Sequence, residues 1–299
     1  MGHDHDHVHD YSRAFRIGVT LNTAFVCLEL FFGLQSHSLA LLADAGHNFS
    51  DVLGLAAAWG AAVLSRKIPS LRYTYGFRSS SILAGLFNAL LLLVVTGGII
   101  WEALARLSHP SPIGGKTVIG IAFMGFLVNL STAILLHHRH EEDLNVRAAF
   151  LHMASDAALS LGVAISGAIV LFTGFYRLDP LVSLGISAAI VYGTWDLLKR
   201  SAGLALHAVP PNIDPKGVRD YFSSLAGVHE VHDLHIWGMS TTESALTVHL
   251  VMPQGHPGDA FMAKIARDLR DSFHIGHATM QVEIGDPMHP CALAPEHLV

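Results

Sequence analysis

The chain has 299 residues, of which 51% are hydrophobic and only 14% are charged, whereas a soluble domain carries about a quarter of charged residues. This composition excludes an ordinary soluble protein and predicts an integral membrane protein with a soluble appendage. The net charge of −6 and the absence of a basic stripe argue against nucleic acid as a partner. The two cysteines, Cys27 in an apolar run and Cys291 near the C-terminus, exclude a disulfide framework and a CxxC zinc site.

Six apolar runs are long enough to cross a bilayer, which takes about 20 helical residues. An even number of crossings places both termini on one side, and Lys and Arg are concentrated on that side, for example at Arg66, Lys67, Arg72 and Arg78. The positive-inside rule therefore predicts a cell (inner) membrane protein with both termini in the cytoplasm. The predicted spans are 13–34, 39–65, 79–107, 114–137, 145–175 and 180–206.

The second and fifth runs carry ionisable side chains, which are costly in hydrocarbon and by default mark a functional site. His47 and Asp51 lie four residues apart, and His152 and Asp156 repeat the same H-x-x-S-D pattern. Residues four apart share one face of a helix. Two packed helices can therefore offer two imidazoles and two carboxylates in a tetrahedral set that suits zinc. The alternative, an intrahelical hydrogen bond in each helix, is less favoured because the spacing occurs twice.

Other ionisable residues in and near the apolar runs are predicted to have structural roles rather than to bind metal. Asp44, three residues before His47, is predicted to support the site rather than to bind metal, and Asp179 is predicted to cap a helix. Glu29 in the first span is predicted to hydrogen-bond a neighbouring helix. A third H-x-x-x-D pair, His229 and Asp233, falls in a predicted strand, where residues four apart are about 13 Å apart. It is not predicted to bind metal.

The hydrophobic pattern changes after residue 207, where amphipathic segments follow a proline-rich linker. Helical spacing at 214–226 and 258–274, together with alternation at 231–239, 244–252 and 277–284, predicts the order αββαβ. The last dozen residues are predicted to be loose. Histidine-rich tracts at 3–9 and 137–143 are either weak metal-binding segments or solvated loops, and both interpretations stay open.

The duplicated H-x-x-x-D pattern, the loop "YTYGFRS" and the segment "HDLHIWGM" together resemble the cation diffusion facilitator family of zinc transporters. The resemblance covers nearly the whole chain. It implies six transmembrane helices and a C-terminal ferredoxin-like αββαβ cytoplasmic domain, in a homodimer that exchanges cytoplasmic divalent metal for protons. The implied domains are a histidine-rich arm at 1–12, a membrane domain at 13–206, a metal-sensing and dimerisation domain at 207–290 and a tail at 291–299.

The resemblance also implies two metal sites. Its transport site for zinc, and often cadmium, matches His47, Asp51, His152 and Asp156. A second, regulatory zinc site in the cytoplasmic domain is expected to draw on His232, His249, His277 and Glu283. Glu283 departs from the family pattern because some members have histidine there, and an extra glycine, Gly285, precedes Asp286.

Two other functions are alternatives to zinc-for-proton exchange. The alternatives are transport of another divalent transition metal (cobalt, nickel, iron or manganese) and a membrane metal sensor without transport. An intramembrane metalloenzyme would need an open ligand position and typically an H-E-x-x-H motif, which the sequence lacks. The protein is therefore predicted not to be an enzyme. Because metal needs neutral imidazole and ionised carboxylate, metal binding and protonation are expected to compete at the transport site.

Overall fold

The computed structural model describes residues 7–65, 67–137 and 144–294. Residues 1–6 and 138–143, which hold most of the histidine-rich tracts, lie outside them. Over the described residues the chain forms eight helices and three strands: α1 (His7–Ser36), α2 (Leu39–Ser65), α3 (Ser80–Ser108), α4 (Gly115–His137), α5 (Leu144–Thr173), α6 (Leu178–Ala205), α7 (Pro215–Ser223), β1 (Glu230–Gly238), β2 (Ser244–Val251), α8 (Asp259–Phe273) and β3 (His277–Glu283). Since α1 begins at His7, helix already starts within the segment predicted as an arm.

The predicted helical membrane domain is confirmed. Within the described residues, four stretches are long and apolar enough to cross a membrane, and they match the third to sixth predicted spans: Ser80–Ser108, Gly115–Ile134, Phe150–Thr173 and Leu178–Ala205. The first two predicted spans coincide with α1 and α2, helices of 30 and 27 residues. Their length suffices for a bilayer at about 1.5 Å per residue, and their crossing stays a prediction.

The first of two compact units comprises residues 1–56 and 88–196. Its interior is built largely from small side chains, which let helices approach closely in a membrane. A Cβ at Gly115 would lie 3.1 Å from Leu171, and one at Gly167 would lie 3.0 Å from Val118, so α4 and α5 meet through glycine on both sides. Large apolar side chains such as Trp101 and Phe172 face outward, as lipid contact requires.

Asp179 in the first turn of α6 organises the start of α2. Its carboxylate accepts hydrogen bonds from the Ser38 hydroxyl and from the backbone N–H groups of Leu39, at 2.7 Å, and Ala40, at 3.4 Å. These N–H groups belong to the first turn of α2, which has no intrahelical acceptors for them. The capping role predicted for Asp179 therefore exists, but the helix it caps is α2 rather than its own.

The second unit comprises residues 57–87 and 197–299 and contains the αββαβ domain, whose predicted element order is confirmed. The sheet has the order β1-β2-β3, with β1 and β2 antiparallel and β2 and β3 parallel. Helix α8 makes the crossover that a parallel pair needs. The core is apolar and includes Val218 and Phe222 of α7, Leu246, Val248 and Leu250 of β2, and Ile265 and Leu269 of α8.

A β-bulge interrupts the pairing of β1 with β2. His232 pairs with His249, but His235 pairs with Thr247, so two residues of β1 stand opposite one residue of β2. Asp233, one of the two, has a φ of 49°, in the left-handed region that Asp tolerates better than most residues. The bulge changes which side chains of β1 reach the face of the sheet that bears His249.

Candidate metal centres

The membrane centre is assembled from α2 and α5. His47 Nε2 lies 3.1 Å from Asp156 Oδ1, and His152 Nε2 lies 3.6 Å from Asp156 Oδ2. His47, His152 and Asp156 each offer one ligand atom, and these three atoms lie within 4.8 Å of one another. Asp51 stands outside this group of three but is adjacent to it, with Oδ2 at 3.3 Å from His152 Nε2. The two predicted pairs are thus brought together across helices.

The separations between these donor atoms suit one metal ion. Zinc bonds to nitrogen and oxygen of about 2.0–2.2 Å place the donors of a tetrahedral shell about 3.3–3.6 Å apart. The observed separations of 3.1, 3.3 and 3.6 Å lie close to that range. Two carboxylates also balance the charge of a dication, which is the condition for burying them in a membrane domain.

Asp156 has an unsatisfied carboxylate oxygen beside the two imidazoles. The residue is 2% exposed, and its Oδ2 atom has no hydrogen-bond donor among the residues that the structure describes. A buried, unpaired carboxylate oxygen costs several kcal/mol in the absence of a partner. A metal ion beside the two imidazoles would remove that cost.

A polar network borders the centre without joining it. Asp44, fully buried, accepts a hydrogen bond from the Ser160 hydroxyl at 2.9 Å, and Asn48 donates to the Glu29 carboxylate at 3.0 Å. The contact of Glu29 with a neighbouring helix agrees with the prediction made for it. Asp44 thus bonds a neighbouring helix through Ser160, and its supporting role stays a prediction.

A second group of possible ligands lies on the face of the cytoplasmic sheet opposite its apolar core. The rings of His232 and His249 are paired across β1 and β2 with centroids 5.3 Å apart. Glu283 at the end of β3 reaches both, at 2.9 Å from His249 Nδ1 and 3.5 Å from His232 Nε2. The fourth member is Cys291: one ligand atom from each of the four residues lies within 4.8 Å of the others.

The chain matches known domains along most of its length. Residues 15–204 match the cation efflux transmembrane domain, and residues 210–284 match the cytoplasmic domain of cation efflux proteins. The chain belongs to the cation diffusion facilitator family. It is therefore an integral membrane protein of a transporter family, not an enzyme, and its C-terminal domain is cytoplasmic.

Relatives in this family match nearly end to end. The chain is 35% identical over 297 residues to the zinc transporter ZitB of Escherichia coli, covering 97% of this chain and 94% of the relative. It is 34% identical to the metal cation efflux system protein CzcD of Cupriavidus metallidurans, covering 98% and 92%. It is 30% identical to a cadmium, cobalt and zinc/H(+)-K(+) antiporter of Bacillus velezensis, covering 97% and 94%.

His277, which the sequence predicts as a ligand of the cytoplasmic group in this cation diffusion facilitator, does not lie beside that group. His277 lies at the other end of β3 from Glu283, opposite Ala245, with its ring against Tyr75 at 5.6 Å between centroids. Six residues of strand span about 20 Å, so His277 does not share an ion with the group within one protomer. Its role stays a prediction.

Two residues of this face are not predictable from the sequence pattern, each for an identifiable reason. Regular strand geometry separates Asp233 from His229, but the Asp233 carboxylate lies 3.4 Å from His249 Nε2 and 2.8 Å from His235 Nε2. The bulge brings it there. Cys291 belongs to the segment that the sequence predicts to be loose, but its Sγ lies 3.5 Å from His249 Nδ1. The expectation of a loose C-terminus is therefore wrong at Cys291.

The titration of this face reflects its charges. Partial burial acts to raise the pKa of Glu283, but hydrogen bonds from Cys291 and Gln281 and the nearby rings of His232 and His249 outweigh it. The pKa of Glu283 is consequently below its ordinary value, so the carboxylate is ionised at neutral pH. An ionised carboxylate beside two imidazoles is the protonation state that metal binding needs.

Proposed function

We propose that this chain exports zinc, and also cadmium, from the cytoplasm in exchange for protons. The transport site is built from the two pairs on α2 and α5, and the ion is the substrate. The residues of the site are His47, Asp51, His152 and Asp156.

One observation carries the proton coupling. The Nε2 atoms of His47 and His152 face carboxylates at 3.1 and 3.3 Å. An imidazole nitrogen and a carboxylate at hydrogen-bonding distance hold a proton between them, whichever atom formally bears it. The same atoms would bind the metal, so the ion and these protons exclude each other. Zinc entry must release protons, and proton entry must release zinc.

The chemistry supplies a cycle for transport by alternating access. Because zinc and protons compete for the same atoms, the site binds zinc on the less acidic, cytoplasmic side and takes up protons on the more acidic side. Inward-facing deprotonation loads the metal, and outward-facing protonation of His47 and His152 expels it. The helices rock between the two faces, as secondary transporters generally do.

The relatives favour this substrate and coupling. The Escherichia coli relative is named for zinc transport, and the Bacillus velezensis relative is named an antiporter of cadmium, cobalt and zinc with H+ and K+. Donors of nitrogen and oxygen also accept cobalt, nickel, iron and manganese, so the ligand set alone does not separate these metals. A membrane sensor without transport would have no need to place its ion between two membrane helices.

We extend the proposal to the organisation of the protein. The chain lies in the cell (inner) membrane as a homodimer, with both termini cytoplasmic. The membrane domain spans 13–206 and a metal-sensing and dimerisation domain spans 207–290, between the arm at 1–12 and the tail at 291–299. His232, His249 and Glu283 form the core of a regulatory zinc site there.

Zinc flux in proteoliposomes tests the transport proposal. We expect zinc movement that accelerates when a pH gradient drives protons the opposite way, and that cadmium inhibits more strongly than manganese does. A zinc flux insensitive to the imposed pH gradient would indicate a channel and contradict the proposal. Absence of flux with intact metal binding would favour the sensor.

A further inference from the structure

The chain after β3 turns back onto the sheet and brings Cys291 to the cytoplasmic ligand group. We infer that Cys291 supplies a thiolate ligand to the cytoplasmic site. It completes a four-donor shell within one protomer, with His232, His249 and Glu283, for a thiophilic divalent cation such as Zn²⁺ or Cd²⁺. The inference rests on the cytoplasmic site proposed above and adds to it a ligand from the tail.

The reversal of the chain is specified locally. Gly285 has a φ of 72°, and a Cβ there would lie 2.9 Å from Val251 Cγ1, so both the backbone conformation and the space require glycine. Asp286 then closes a turn by accepting hydrogen bonds from the backbone N–H groups of Met288, through its side chain at 2.9 Å, and His289, through its carbonyl at 3.0 Å. This turn directs Cys291 back toward β2.

His232 is an independent sign that the group holds a ligand. Its side chain is buried, with the residue 3% exposed, and neither ring nitrogen has a hydrogen-bond partner among the described residues. Carboxylate oxygens of Glu230 and Glu283 stand 3.4 and 3.5 Å away without forming hydrogen bonds. A buried imidazole without a partner is costly. A cation at Nε2 would satisfy it.

Two of the donor separations agree with a shell that includes sulfur. Zinc–sulfur bonds of about 2.3 Å and zinc–nitrogen bonds of about 2.0–2.1 Å place a tetrahedral S–N pair about 3.5 Å apart. Cys291 Sγ lies 3.5 Å from His249 Nδ1, and Glu283 Oε2 lies 3.5 Å from His232 Nε2. The thiolate and the carboxylate together balance the charge of a dication.

Binding changes protonation but involves no redox step. The Cys291 thiol loses its proton to solvent, and a sulfur–metal bond forms in place of the S–H bond. The proton is displaced because thiolate, not thiol, binds metals. Sulfur gives the shell a preference for softer ions than an all nitrogen and oxygen shell has. Metal binding would also fasten the tail to the sheet.

Thiolate-to-metal charge-transfer absorption on addition of Cd²⁺ tests the inference in the reduced full-length protein. The chain has two cysteines, and the other one, Cys27, is exposed on α1, which makes Cys27→Ser a matched control. We expect the band in the parent and in Cys27→Ser, and its loss in Cys291→Ser. In His232→Ala the Cd²⁺ concentration that produces half of the band should rise at least about 100-fold, because losing a residue that merely supports a metal ligand already costs about 10–100-fold in affinity.

Several results would overturn the inference. The inference fails if the parent shows no charge-transfer band, or if the band survives in Cys291→Ser. It also fails if the band forms in folded His232→Ala at the Cd²⁺ concentration that suffices for the parent. A second measurement needs no buried substitution: in Cys27→Ser, Zn²⁺ should protect Cys291 from alkylation, and equal alkylation rates with and without Zn²⁺ would contradict the assignment. The band should persist in Asp51→Ala, because the membrane centre has no sulfur donor. If Asp51→Ala transports zinc normally, the transport proposal fails while the assignment of Cys291 still stands.

Discussion

The two candidate metal centres have similar charges, but the sequence encodes them in different ways. Each offers two imidazoles and two acidic groups, which suits a dication. The membrane centre takes its donors from two helices at a fixed spacing of four residues, whereas the cytoplasmic group takes them from a bulged strand, two further strand positions and the returning tail. A motif read from sequence therefore finds the first centre far more easily than the second.

The largest expected effect comes from the most buried carboxylate. Asp156→Ala should abolish zinc transport, because a unit-charge contact at about 4 Å is worth about 4 kcal/mol at an effective dielectric near 20, or about a thousandfold in affinity. Zinc flux in proteoliposomes measures the loss. Ser155→Ala is the matched control, since Ser155 is exposed and its hydroxyl donates to the Leu151 carbonyl of its own helix. Parental flux in Asp156→Ala would remove this residue from the site.

The independence of the two centres is tested by counting bound ions. His249→Ala should remove the tightly bound ion of the cytoplasmic group and leave that of the membrane centre, and Asp156→Ala should do the reverse, because each changes one ligand group only. Equilibrium dialysis with Zn²⁺ after chelator treatment measures the count. Loss of both ions in either single variant would show that the centres are not separate.

The nature of the donors should govern selectivity in the membrane centre. His47→Asp replaces a nitrogen donor at α2 by an oxygen donor, and oxygen ligands suit harder ions. We expect transport to persist with a shift toward manganese relative to zinc. Competition between Mn²⁺ and Zn²⁺ during flux measures the ratio. An unchanged ratio would mean that His47 does not contact the ion.

Asp44 should have a smaller effect than any ligand. Asp44→Asn leaves the metal-ligand group intact but weakens the hydrogen bond with Ser160, at a cost of about 1–2 kcal/mol or a factor of about 5–30. Zinc flux should therefore fall without disappearing, and the zinc flux of the Ser160→Ala variant should fall by a similar factor. Complete loss in Asp44→Asn alone would identify Asp44 as a ligand.

Much of the fold follows from hydrophobic pattern, and the failures have physical causes. The αββαβ order and the placing of His47 with Asp51, and of His152 with Asp156, on one face of a helix rest on local periodicity, which helices and strands preserve. The contacts themselves run between the helices, from His47 to Asp156 and from His152 to Asp51. The helix capped by Asp179 depends on packing over more than a hundred residues. The position of Asp233 depends on a bulge, which has no unique sequence signal.

The position of Cys291 in the tail is likewise not predictable from local periodicity. Cys291 reaches His249 only because Gly285 and Asp286 turn the chain, and a glycine followed by a polar residue is also typical of a loose terminus. A pattern of spacing predicts contacts within one element. It does not predict contacts that depend on where a loop returns.

The most direct test of the account measures zinc and proton movement together in proteoliposomes that contain a pH-sensitive dye. Zinc and protons should move in opposite directions in the parent, because they compete for the Nε2 atoms of His47 and His152. In Asp51→Ala both movements should vanish together while the protein remains inserted in the membrane. Zinc transport at the parental rate in Asp51→Ala, or zinc transport in the parent without counter-movement of protons, would contradict the account.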